Sequence, residues 1–520
     1  MYLGAIAQLR GIQEQGMNDH RRSGVLLHLT SIPTNYSIGD MGPKAYEFLD
    51  FITSSGLSIW QMLPVGPIGK SNSPYQSYSA FAGNHLLISP DLLLEEGILA
   101  TADLPKEPNP KHQRTDYALA RRIKSLILQK AFSRFTPTKD FESFCEEHSY
   151  WLDDYAMFMT LLELNNGRPW NLWHTDISRR DKTTLERLSR EHKQRIMFHK
   201  FAQYLFFKQW FELKKACNSR GVKILGDLPI FVAHNSADVW AHPEIFKLKP
   251  DGNPRVIAGV PPDYFSSTGQ LWGNPLYDWQ MLEAQNYSWW IDRLKWSLKL
   301  FDMVRIDHFR GFCACWEVPY GETTAVNGRW VKVPGAKFFR TAIKALGSLP
   351  VIAEDLGVIT PEVEALRDKF GFPGMKVLQF AFTNPQNQYL PHNYVTFNCV
   401  VYTGTHDNNT TLGWWEELDS KHKSIVRSYV GRKTGKDLVW ELIRMGISST
   451  AKYAIFPLQD FLTLGSEARM NIPGTEFGNW EWSYPESALS EEIAGRIKHL
   501  CKLYNRVPPE EKEQQITNPQ

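Results

Sequence analysis

The sequence predicts an α/β fold, a (β/α)8 TIM barrel carrying large, mostly helical insertions. Three observations lead there. Four strings, Gly226–Asp227–Leu228–Pro229, Arg305–Ile306–Asp307–His308, Ala353–Glu354–Asp355–Leu356 and Thr405–His406–Asp407–Asn408, each place a carboxylate at the end of a short apolar or β-branched run. Eight such runs recur between helical patterns, as buried parallel strands do. The 520 residues also exceed the roughly 250 of a plain barrel, which leaves room for insertions. Acids at the carboxyl ends of separate strands are what a barrel uses to aim groups into one pocket.

The first two expected strands are Val25–Leu29 and Ile59–Leu63. Roughly 160 residues then pass before the third, too many for a crossover helix. Within them Tyr117–Phe132, Phe141–Leu164 and Thr183–Ser219 show helical spacing and abundant Lys, Arg and Glu, so a helical insertion is expected over about 100–200. The third strand is Val222–Leu225. Pro250–Pro275 follows, rich in Gly, Pro and Asp yet too apolar for a linker (Val256, Ile257, Val260, Tyr264, Phe265, Trp272). It is expected to form a loop over the pocket, inside an active-site insertion of about 235–290. The remaining strands are Met303–Ile306, Val351–Ala353, Val377–Phe382, Val400–Tyr402 and Ala454–Phe456, with a helical insertion at 411–446 before the last. Residues 1–505 are thus read as one catalytic barrel domain and 506–520, polar and containing Pro508–Pro509, as a frayed tail.

Composition bounds the function. With 42% hydrophobic and 22% charged residues the chain is an ordinary globular protein. A net charge of +2 argues against nucleic acid or an anionic membrane as partner. No apolar run approaches the roughly 20 residues of a membrane helix. Met1–Arg22 has no signal-peptide core, and Glu14 and Asp19 speak against a transit peptide. Six cysteines, with Cys313–Ala314–Cys315 the closest pair, fit free thiols of a reducing cytoplasm better than a disulfide framework or a zinc site. Aromatics reach 13%, with 18 Trp. Most serve packing, but sugar rings stack on aromatics, so the excess favours a carbohydrate cleft.

The chemistry rests on a few residues. On a strand Arg305 and Asp307, at i and i+2, share a face. The guanidinium should keep the carboxylate ionised, as a nucleophile requires; the plain alternative is a structural Arg–Asp pair. Glu354 and Asp355 are adjacent, so only one can face the pocket. Glu354, among Ala353, Asp307 and aromatic neighbours, suits a general acid with a raised pKa, while Asp355 begins a turn and caps the following helix. Alternatively both are solvated loop acids. Asp407 with His406 can grip vicinal sugar hydroxyls. Asp227 takes a supporting role, or is only a turn aspartate before Leu228–Pro229.

The competing reading is a two-metal hydrolase built from His308, His406, Asp307, Asp407 and Glu354. No His-x-His or His-Glu-x-x-His supports it, and adjacent acid and His residues on a strand turn apart. Phosphate loops and a Gly-x-Ser-x-Gly elbow are also absent from the sequence. Neither metal nor cofactor is therefore expected, and paired carboxylates fit glycosidic-bond chemistry.

At this point the chain resembles a known family, the 4-α-glucanotransferases called amylomaltases or disproportionating enzymes, relatives of the α-amylase superfamily. The strings that carry the resemblance run in order from about Gly24 to Trp482. They are SPYQSYSAFAGN (Ser73–Asn84), GDLPIFVAHNSADVWAHPEIF (Gly226–Phe246), AGVPPDYFSSTGQLWGNPLYDW (Ala258–Trp279) and VRIDHFRGF (Val304–Phe312). AEDLGVITPEV (Ala353–Val363), FGFPGMKVLQFAF (Phe370–Phe382), GTHDNNTTLGWW (Gly404–Trp415) and MNIPGTEFGNW (Met470–Trp480) complete them.

The resemblance implies retaining transfer between 1,4-α-glucans, with maltooligosaccharides and glucose as donors and acceptors. It implies Asp307 as nucleophile, Glu354 as acid/base and Asp407 as the third carboxylate on the donor sugar. Arg305, His308 and His406 resemble the residues that orient these groups. Tyr75 and the Gly259–Pro275 loop, with Gln270 and Trp272, resemble acceptor-side and shielding elements, and Asn471 lines the donor side. Three departures, His234–Asn235, Asn409 and His85, bear on substrate preference and leave the three carboxylates untouched. An α-glucan hydrolase on the same barrel and a non-catalytic glucan-binding protein remain the alternatives.

Overall fold

A computed structural model describes residues 20–105, 114–262, 266–431 and 433–507. These contain twelve strands: β1 (Arg22–Leu26), β2 (Ile59–Gln61), β3 (Lys223–Pro229), β4 (Val256–Val260), β5 (Gln270–Pro275), β6 (Met303–Asp307), β7 (Ala314–Pro319), β8 (Arg329–Lys332), β9 (Val351–Ala353), β10 (Gly374–Val377), β11 (Cys399–Tyr402) and β12 (Tyr453–Pro457). Eight of them close a barrel in the order β1-β12-β11-β10-β9-β6-β3-β2. Every neighbouring pair is parallel. Val25, Ile59, Leu225, Ile306, Val401 and Ile455 are buried along these strands, which is why each reads as a continuous apolar run.

Each expected run overlaps a barrel strand, though several bounds differ: Ile59–Leu63 is strand only to Gln61, and the third strand extends to Pro229. Val25–Leu29 is strand only to Leu26, since Leu29–Ser31 forms a 3-10 turn. Val377–Phe382 is strand only at Val377; β10 begins earlier, at Gly374, and Leu378–Phe380 turns away. The turn lets Gln379 donate to the Asn409 carbonyl at 2.9 Å, tying the ends of β10 and β11 together.

Between β2 and β3 stand the helices Tyr117–Ser133, Lys139–Glu147, Ser149–Leu164, Lys182–Glu191 and Lys193–Ser219. Asp116, Thr138 and Asp181 cap three of their N-termini through side-chain oxygens. The expected Phe141–Leu164 helix breaks at His148 and Thr183–Ser219 breaks at His192, where the backbone leaves helical geometry. His148 is buried there, its ring 4.8 Å from both Phe144 and Trp296.

The long helix Lys193–Ser219 props the segment that follows Tyr75. Gln203 exchanges two hydrogen bonds with the Gly83 backbone, at 2.7 and 2.9 Å, and Gln209 two with Ser89, at 2.7 and 3.1 Å. The approach is so close that a Cβ on Gly83 would stand 2.1 Å from the Phe206 ring.

Pro250–Pro275, expected as a loop, instead contains two strands. β4 and β5 join β7 and β8 in an antiparallel sheet of order β5-β4-β7-β8. The two hairpins leave different barrel crossovers, one between β3 and β6 and the other between β6 and β9. The helices Thr411–Glu417, Ser420–Val430 and Gly435–Ser448 lie between β11 and β12.

The first two residues of the expected tail, Arg506 and Val507, are packed against the domain. Arg506 is fully buried and donates to the carbonyls of Ile447, Ser449 and Ala451 at 2.6, 3.0 and 2.9 Å. Residues 508–520 lie outside the described residues. The six cysteines are free. Among the described residues no helix is long and apolar enough to cross a membrane.

Candidate active site

Strand register sets the site. β3 and β6 pair Asp227 with Arg305 and Pro229 with Asp307, and β6 and β9 pair Ile306 with Ala353. Asp227, Arg305 and Asp307 therefore emerge at the carboxyl end of the barrel, and Glu354 follows directly after β9. Arg305 is buried and forks between two acids. Its Nη1 donates to Asp227 Oδ2 at 2.5 Å and its Nη2 to Asp307 Oδ1 at 2.9 Å. The shared face expected for Arg305 and Asp307 is thus present. Asp227 is no turn residue: it lies within β3 with its side chain fully enclosed.

Glu354 and Asp355, just past the end of β9, point to different partners. The Glu354 carboxylate accepts the backbone N–H of His308 at 2.7 Å and of Leu356 at 3.0 Å. His308 reaches it from a left-handed conformation, φ 53°, an uncommon one for a non-glycine residue that its surroundings must hold in place. Asp355 turns away, but caps no helix. It ion-pairs with Arg367 and accepts the Met375 N–H at 2.7 Å, while the next helix, Pro361–Lys369, has Thr360 at its N-cap.

Electrostatics separates the acids. Burial raises Glu354 to about 7, with Asp307 adding to the rise and Arg305 opposing it. Asp307 has Arg305 beside it as expected, but the guanidinium does not bring its pKa below the ordinary carboxylate value. Burial raises it to about 6 despite Arg305, because desolvation of the carboxylate outweighs the guanidinium. The Asp307 side chain keeps 29% exposure, so it stays open to a substrate. Asp407 moves the other way: burial pushes it up, but His406 and a hydrogen bond from Asn471 bring it below the usual carboxylate range.

His406 and Asp407 were expected to turn apart as strand neighbours. They lie beyond the end of β11, in a turn, and His406 Nε2 is 3.3 Å from Asp407 Oδ2. Asn471 Nδ2 donates to Asp407 Oδ1 at 2.6 Å. The Tyr75 hydroxyl lies 2.8 Å from both Asp227 Oδ2 and His406 Nε2, and its ring stacks on that of His406 at 5.4 Å. Burial, then the Asp227 charge, raises the Tyr75 pKa well above its ordinary value. Tyr75 therefore keeps its one proton and gives it to Asp227. Its oxygen is left to accept from His406, so His406 Nε2 carries a hydrogen.

On the other side β5 presents Gln270 and Trp272, again i and i+2. Trp272 Nε1 donates to Gln270 Oε1 at 3.2 Å, and its ring meets that of His308 edge-on, 4.8 Å between centroids at 89°. Burial lowers His308 to about 4, so its ring is neutral. Tyr264 and Phe265 lie outside the described residues.

Two further residues belong to this constellation. Arg469 donates to the carbonyls of Asp407 and Asn471 at 2.9 and 2.8 Å. Trp480 packs near the Tyr75 and His406 rings, at 5.8 and 6.0 Å. Both flank or end the MNIPGTEFGNW string, which was the signal available for them. Among the described residues no three His, Cys, Asp or Glu side chains group as metal ligands would.

Comparison with known proteins fits this geometry. A family model described as 4-alpha-glucanotransferase matches residues 27–489. The 4-alpha-glucanotransferase of Synechocystis sp. is 50% identical over 499 residues, covering 94% of this chain and 99% of its own. That of Thermus thermophilus is 47% identical over 500 residues, with the same two coverages. The structure of the amylomaltase from Streptococcus agalactiae in complex with acarbose matches with a TM-score of 0.89 at 38% identity, covering 94% of this chain and 99% of that one. By a match that runs through nearly the whole chain, the protein belongs to the 4-alpha-glucanotransferase family.

Proposed function

We propose that the chain moves a segment of a 1,4-α-glucan to the 4-hydroxyl of another glucan, or of glucose, by two displacements on one barrel face. Glu354 in its protonated form gives its proton to the glycosidic oxygen while Asp307 attacks the anomeric carbon. The bond to the leaving chain breaks, its oxygen takes the proton, and a glycosyl ester forms on Asp307. The 4-hydroxyl of the acceptor then attacks the same carbon, Glu354 takes the hydroxyl proton, and Asp307 leaves. Two inversions retain the configuration.

The observation that supports this reading is the pair of carboxyl groups on adjacent strands β6 and β9. Glu354 has the higher pKa of the two, and Asp307 is the acid bound by Arg305. That is the separation of roles a nucleophile and an acid/base need. Asp407, held ionised by His406 and Asn471, binds donor-sugar hydroxyls. His308 orients Glu354 through its N–H, and Tyr75 and Asp227 set the direction of Arg305 and His406. Gln270 and Trp272 on β5 shield the intermediate and contact the acceptor, which favours transfer over hydrolysis.

Incubation with maltotriose tests it. A ladder of shorter and longer maltooligosaccharides with a constant number of reducing ends is expected. Growth of reducing ends without longer products would mark a hydrolase instead, and the absence of both would mark a binding protein.

A further inference from the structure

A cavity of about 30 Å³ lies against the ring of His406, lined also by His28, Ser31 and Arg469. Three buried polar atoms of these residues have no partner within the protein: His406 Nδ1, His28 Nδ1 and Ser31 Oγ. His28 is 5% and His406 6% exposed, and Ser31 is fully buried. Unpaired polar atoms are costly to bury, and a polar cavity of this size has room for about two waters. His28 and Ser31 sit just past β1, on the 3-10 turn Leu29–Ser31 and its N-cap, and neither has a part in the mechanism above.

We propose that His28 is a positioning residue for His406. Water held in the cavity bridges His28 Nδ1 and Ser31 Oγ to His406 Nδ1, and so fixes the ring that holds Asp407. This rests on the reading that His406 and Asp407 together bind the donor sugar.

The argument is one of satisfying each atom. Tyr75 already requires a hydrogen on His406 Nε2, so the only open question is what Nδ1 does. Burial, then the neighbouring His406, lowers His28 to about 3, so His28 is neutral and one of its nitrogens accepts. A chain from His406 Nδ1–H through water to His28 Nδ1 stabilises the imidazolium form of His406. The other groups around the ring are Asp407 in the same turn, Tyr75 after β2, Asp227 on β3, Arg305 and Asp307 on β6, and Arg469. Burial and Arg305 oppose the charge on His406, whereas Asp407 and Asp227 favour it, and the balance raises its pKa. His28 adds an acceptor on the Nδ1 edge, which has no hydrogen-bond partner within the protein.

The test follows His406 in protein labelled with 13C at histidine Cε1, its signal assigned through His406→Gln, together with kcat and KM for maltotriose across pH. His28→Leu is expected to lower the His406 titration midpoint and raise KM several-fold. His28→Asn, which keeps an acceptor where Nδ1 stood, is expected to restore most of each. Ser31→Ala should shift the midpoint the same way by less, and it guards against a His28→Leu protein that fails to fold. An unchanged midpoint in folded His28→Leu or Ser31→Ala, or His28→Asn behaving like His28→Leu, would overturn the proposal. A shifted midpoint with KM unchanged would support the bridge and count against His406 as a donor-site group.

Discussion

Arg305 binds Asp227 and Asp307 at once, and the consequence for pH follows from how deeply that cluster is enclosed. Burial lifts both Asp307 and Glu354 above ordinary carboxylates. The two titrate as a pair with two apparent steps, and the form that reacts holds one proton, on Glu354. The profile of kcat/KM should therefore be bell-shaped, with its limbs near pH 6 and pH 7. Stability has a definite sign as well. A carboxyl whose pKa is raised by folding contributes stability that is full below its unfolded pKa and is lost as pH rises through its folded value. Glu354→Gln cannot ionise. It should melt a few degrees above the wild type at about pH 8, and the gap should close toward about pH 5. Calorimetry at the two pH values checks this, and equal gaps would show that Glu354 carries no such penalty. The nature of these acids was legible in the sequence because each ends an apolar run. The raised pKa of Asp307 was not: the Arg305 neighbour was visible two residues away, but the desolvation that outweighs it comes from residues distant in the chain.

At the scale of elements, β5 carries part of the site itself, and the helix Lys193–Ser219 supports the segment that follows Tyr75. β5 carries Trp272 against His308, whose N–H in turn holds Glu354. Trp272→Ala should weaken acceptor binding by about 1–3 kcal/mol, by analogy with the stacking of bases on aromatics. It should also raise the ratio of glucose released to chain-lengthened product from maltotriose. A proportional loss of both products, with the ratio unchanged, would make Trp272 a packing residue only. The long helix meets the chain at Gly83 with no space for a methyl group. Gly83→Ala must push the helix or the segment outward and should cost about 1–3 kcal/mol. Urea unfolding measures this, and a midpoint equal to the wild type would contradict the packing. Helical spacing located this insertion in the sequence, but not its breaks at His148 and His192; at His148 the ring is buried between Phe144 and Trp296, which lie far apart in the chain.

For the whole molecule, the barrel was legible because eight apolar runs recur and four of them lead to acids. The antiparallel sheet was not. Its inner strands, β4 and β7, come from different crossovers, so the pairing of Ala258 with Glu317 and Gly259 with Trp316 is fixed by tertiary contact and leaves no local period. Arg506 likewise reads as a polar tail residue. Its burial depends on carbonyls from the turn before β12, which the sequence does not mark as acceptors. The site draws its residues from seven parts of the chain, and what unites them is the reaction proposed for Asp307 and Glu354. Glu354→Gln protein treated with α-glucosyl fluoride, whose leaving group needs no proton, puts that reaction to its most direct test. Intact-mass and peptide spectrometry should find one added glucosyl group, on the peptide that contains Asp307, and Asp307→Asn in the same background should remove it. A glucosyl group on any other residue, or no adduct while Asp307→Asn alone still turns over maltotriose, would contradict the account.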